Sequence, residues 1–72
     1  MRDVVDTDEL LRRLRRGRDC AEDQRTHWLS QSEGLRATDP EAAREADVRV
    51  VAYESVLRVL DEVLTPGAHD TT

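Results

Sequence analysis

Two interleaved heptad rows between Pro40 and Leu64 constrain this chain more than any other feature. Ala43, Val50, Leu57 and Leu64 recur every seven residues, and Ala46, Tyr53 and Leu60 do the same with an offset of three. That is the a/d pattern of a helix that packs lengthwise on another helix. The start is well marked: Asp39 can cap the helix, Pro40 suits the first helical position, and Glu41 sits near the positive end of the dipole. Pro66 and Gly67 mark the stop. The spacing predicts a helix over residues 40–64, a rod of roughly 37 Å.

A second apolar row, Ala52, Val56, Val59 and Val63, runs beside the first. In the C-terminal half the two rows together span roughly 200° of the helix, about twice the stripe of an ordinary surface helix. Such a helix needs cover on two sides. Glu45 and Arg49 interrupt the second row upstream, so the excess is confined to the C-terminal half. The remaining strip, Asp47, Glu54, Ser55, Arg58, Asp61 and Glu62, is polar, with Val51 stranded inside it.

The residues before Gly34 predict a first helix over 7–33. Asp6 is its N-cap, with Glu9 three positions on as in a capping box, and Val5 and Leu10 are placed to form a hydrophobic staple. Gly34 reads as a left-handed residue after the helix, with Leu35 folding back on Leu29. The linker 34–39 is short enough to make the two helices antiparallel neighbours. Residues 65–72 read as a disordered tail.

The first helix carries a narrow apolar stripe. Leu14, Ala21 and Trp28 recur every seven residues, joined by Leu10, Leu11 and Leu29. The companion positions Gly17, Gln24 and Gln31 are poor core formers, and Arg18 and Arg25 fall in the same stripe with their heads expected to point outward. Gly17 costs a helix about 1 kcal/mol relative to Ala, unless it serves a close approach of the two backbones. A narrow stripe thus faces a wide one.

The expected fold is all-α: an antiparallel two-helix hairpin that pairs into a dimeric four-helix bundle. Its hairpin core is Leu14, Ala21, Trp28, Val50, Tyr53, Leu57, Leu60 and Leu64, and its interface is Ala52, Val56, Val59 and Val63. Tyr53 would need a hydroxyl partner if buried, with Gln24 or a nearby carboxylate expected to supply it.

Size reinforces the need for a partner. At 72 residues a single core is marginal, and one cysteine allows no internal disulfide. The net charge of −5 and the pI near 4.9 argue against a general nucleic-acid or anionic-membrane binder. The eleven basic residues are all Arg, which fits the codon usage of a GC-rich bacterium or its phage and says nothing of function. With no membrane-spanning stretch and no signal peptide to read, a cytoplasmic protein is expected.

Four clusters invite a functional reading. The run Arg12, Arg13, Arg15, Arg16 and Arg18 could bind phosphate or an acidic partner. It is better explained as a solvated face with acids at i,i+4, through Asp8–Arg12, Glu9–Arg13, Arg15–Asp19 and Arg18–Glu22, and in an antiparallel hairpin the run also lies near Asp61 and Glu62 of the second helix. Cys20, Asp23 and His27 share a helical face but match no closed zinc pattern, and His69 adds nothing to them. Trp28 reads as core before it reads as a partner's anchor. The acidic surplus of Asp19, Glu22, Asp23, Glu41, Glu45 and Asp47 reads as a solubilising face before a mimic of nucleic-acid charge.

No nucleophile–base pair, paired carboxylates or nucleotide motif can be recognised, so no enzyme, cofactor, metal or small-molecule substrate is expected. The function expected is a small non-enzymatic interaction module that self-associates, or docks on another helical protein, through its C-terminal helix. The alternative is an acidic inhibitor, a mimic of nucleic-acid charge that binds a basic target protein.

Overall fold

The computed structural model describes residues 6–65 and forms an antiparallel hairpin of two α-helices. The first, α1, spans Thr7–Leu35 and the second, α2, spans Pro40–Leu64. There is no strand among the described residues. The Val5 staple, the stop at Pro66 and Gly67, His69 and the tail beyond Thr65 lie outside them.

Both helices begin on an aspartate cap. Asp6 is extended (φ −76°, ψ 170°), and its Oδ1 accepts from the Glu9 N–H at 2.7 Å. Asp39 accepts from the Ala42 N–H at 3.1 Å, with Pro40 at the first helical position. Each satisfies a backbone donor that the helix cannot satisfy itself. The reciprocal half of a capping box is replaced, because the Glu9 carboxylate is taken by Arg12 and Arg13.

The end of α1 differs from the expectation at Gly34. The helix runs through Gly34 to Leu35, and Arg36 caps it in right-handed geometry (φ −58°, ψ −38°). The Leu35 carbonyl then accepts both the Thr38 N–H at 3.1 Å and the Asp39 N–H at 2.7 Å. No left-handed residue is needed, because the turn closes directly onto the Asp39 cap. Packing decides this: Ser32 is buried and Leu35 half-buried against α2, which holds the last turn helical.

Small residues form the buried contact between the helices. Ala21, Ala43, Ala46 and Val50 are its apolar members, and Ser32, at 0% exposure, is its most buried side chain. The α2 members all lie in the half nearest the turn. Of the other expected core positions, Leu14, Trp28, Tyr53, Leu57, Leu60 and Leu64 are half-buried. A two-helix unit covers a large seam residue from one side only, so the leucines of the open half keep part of their surface in water.

Three contacts set the register. Arg18 Nε donates to Asp61 Oδ1 at 2.7 Å, Arg25 Nε donates to Glu54 Oε2 at 3.0 Å, and the Ser32 hydroxyl donates to Asp47. The residues step by seven along α1 while their partners step by seven backwards along α2. This corrects one expectation, since Arg18 and Arg25 do not point away from the hairpin, and it realises the expected nearness of the arginine run to Asp61 at Arg18. Together the three pairs form a polar ladder along one edge of the contact.

At that register Leu64 comes level with Arg15. The two N-terminal turns of α1, Thr7 to Leu14, therefore reach about 12 Å past the end of α2. Leu10, in that overhang, is 51% exposed. Gly17 serves no close approach, since a methyl added there would meet nothing within 4 Å.

Candidate functional site

The two edges of the hairpin differ in chemistry. One edge is the ladder just described. Beyond it, Arg18 reaches Glu22 at 2.9 Å, and Arg36 donates to Ser32 Oγ at 3.0 Å while lying 3.7 Å from Asp47. Asp61 first, and then Glu22, hold the Arg18 guanidinium above its ordinary range by hydrogen bonding.

The other edge is closed by an aromatic contact. The Arg49 guanidinium lies 4.7 Å from the centre of the Trp28 ring, and His27 meets that ring edge-on at 4.9 Å. Trp28 is half-buried, its face covered by a cation from α2 in place of further core. Arg49 belongs to the same seven-residue row as Val56 and Val63, so this row and His27 lie on the same edge. Gln24 and Gln31, three and four residues from His27, and Cys20, seven before it, share its face of α1.

The outer side of α2 is apolar and open. Val56 is 44% exposed, Val59 63% and Val63 52%, and Ala52 is exposed beside them. Val48 and Val51 are exposed as well, Val51 on the flank where its sequence context had stranded it. Two shallow apolar depressions flank Val59. One is lined by Ser55, Val56, Val59 and Leu60, the other by Arg58, Val59, Glu62 and Val63. Four-residue hollows beside a protruding side chain are what knobs-into-holes packing between helices uses.

The remaining candidates resolve into local contacts. Arg12 and Arg13 both bind Glu9, at 2.9 and 3.0 Å, so Arg12 uses Glu9 in place of Asp8. These hydrogen bonds, Arg12 first, hold the Glu9 carboxyl below the usual carboxylate range. Asp19 lies 3.8 Å from Arg18 and does not pair with Arg15. Cys20 is an exposed free thiol, and no group of three metal-ligating side chains occurs among the described residues. Half-buried Tyr53 makes no side-chain hydrogen bond to Gln24 or to a carboxylate among the described residues, and no buried polar side-chain atom there lacks a partner. No described helix is long and apolar enough to cross a membrane.

Sequence reasoning missed Ser32. The signal was present in the row Leu11, Arg18, Arg25 and Ser32, which recurs every seven residues opposite Asp47, Glu54 and Asp61. A polar row reads as solvent-facing until the opposing row is set against it. Comparison with known protein families, curated proteins and solved structures gives no match.

Proposed function

We propose that this chain is a small non-enzymatic protein-interaction module that self-associates through the outer face of α2. The observation that carries the reading is the exposed row Val56, Val59 and Val63 on a helix whose other side already packs on α1. An apolar row of this regularity is costly in water and useful only when covered.

The magnitudes say how large the contact must be. Covering the exposed half of one valine returns about 1 kcal/mol, or about 6 kcal/mol for three valines on each of two copies. Association costs about 4–15 kcal/mol in lost freedom of motion. The valine row alone therefore only breaks even, and a stable complex has to cover surface beyond it.

Sedimentation equilibrium tests the reading. The wild-type chain is expected to run heavier than its 8.2 kDa monomer. The double substitution Val56→Glu and Val59→Glu should return a monomer with unchanged helical circular dichroism. Val51→Glu, an equally exposed valine off the row, should leave the mass unchanged. A wild-type chain that stays monomeric into the millimolar range overturns self-association.

A further inference from the structure

We propose that the second copy packs antiparallel and closes a four-helix bundle over the Trp28–Arg49 edge of the hairpin, the edge toward which the valine row lies, bringing the two α1 helices together at Cys20. This rests on the self-association read above and adds its geometry.

The valine row is self-complementary. Its members are spaced four, three and four residues apart, so an antiparallel copy centred between Val56 and Val59 sets Val56 against the second copy's Val59. The same register sets Ala52 against the second copy's Val63. Each Val59 is a knob with a four-residue hollow on either side, so one helix supplies both halves of the joint. An unrelated partner would need no such match.

Charge selects the edge. A two-fold contact brings residues near the axis close to their own copies, so a charged edge would set like against like. The ladder edge carries Arg18, Arg25, Asp47, Glu54 and Asp61, all engaged within the hairpin. On the opposite edge α1 presents Gly17, Cys20, Gln24, His27 and Gln31, a run without Arg, Asp or Glu, next to Tyr53 and Leu60 of α2; the charged groups on that side are Asp23, flanking the run, and Arg49, which lies over Trp28. At the register above, Tyr53 comes beside the second copy's Leu60, and Ser55 beside its Glu62. No like charges meet in these pairings.

The level of Cys20 follows from the ladder. Between the Arg18–Asp61 and Arg25–Glu54 contacts, Cys20 comes level with Val59 and Asp23 with Val56. A two-fold axis midway between Val56 and Val59 thus leaves the two Cys20 residues within about 5 Å of each other along the bundle. The alternative is a flat array in which only the α2 helices touch. There the α1 helices stand roughly 25–30 Å apart, three interhelical spacings.

Cys20 is exposed and is the chain's single cysteine, so it reports on this directly. The full-length wild-type protein is treated, at a concentration where it is dimeric by sedimentation, with a short bismaleimide. Rapid formation of a two-chain product is expected, and its loss in the Val56→Glu and Val59→Glu variant. Cys20→Glu, which sets two carboxylates across the axis, should weaken the dimer by about tenfold or more, while Cys20→Ser leaves it unchanged. A dimer that neither cross-links nor responds to Cys20→Glu overturns the closed bundle and leaves the interaction module standing. A monomer at every concentration overturns both.

Discussion

Arg18 and Asp61, 43 residues apart in sequence, meet at 2.7 Å and anchor the open end of the hairpin. Both side chains keep about a third of their surface in water, 30% and 31%, so the pair is screened and its worth is modest. A double-mutant cycle with Arg18→Ala and Asp61→Ala should give a coupling of about 0.5–1 kcal/mol in urea denaturation. The coupling should shrink as salt is raised. Zero coupling at low salt would show that the ladder does not hold the register.

Ser32 joins Asp47 and Arg36 at the most buried point of the interface. Ser32→Ala should cost about 1 kcal/mol, since both partners keep access to water and only the hydrogen bonds are lost. Ser32→Leu should cost more, about 2–3 kcal/mol, because the Ser32 side chain is fully buried and a larger one would overpack the site. Equal stability of the two variants would sink this account of the core.

Gly17 and Gly34 both lie inside α1 with open space where a methyl would go. Alanine at either position should stabilise the hairpin by about 1 kcal/mol, read as a higher melting midpoint. Gly34→Ala is the sharper case. A left-handed Gly34 closing the helix would make the substitution destabilising, so the sign of the change separates the two endings.

Glu9 is more acidic in the folded chain because Arg12 and Arg13 bind its carboxylate. A carboxyl with a depressed folded pKa stabilises above its unfolded value. That contribution is lost as the pH falls from the ordinary Glu value of about 4.3 through the lower folded one. An NMR titration should place the Glu9 midpoint below that ordinary value, and Arg12→Gln with Arg13→Gln should bring it back. An unmoved midpoint in the double variant would remove the arginines as its cause.

The caps show how far local chemistry reaches. Asp6, Asp39 and Pro40 act on their immediate neighbours, so their roles could be read before any fold was known. The a/d spacing of Ala43, Ala46 and Val50 was equally legible, because it depends only on helical periodicity. The valine row was legible for the same reason, and it lies exposed on the outer face of α2.

What the sequence by itself determined, then, is two helices, where each begins, and which stripe of α2 is apolar. These follow from spacing and from side chains that act on their own backbone. The tertiary structure decided which row of α1 faces α2, and so turned Arg18, Arg25 and Ser32 inward to meet Asp61, Glu54 and Asp47. It also carried α1 through Gly34, since burial of Ser32 and Leu35 outweighs a glycine's local preference for a turn. The reason is common to both: a polar side chain or a glycine takes its role from what lies opposite, and that neighbour is supplied only when the two rows are brought into register.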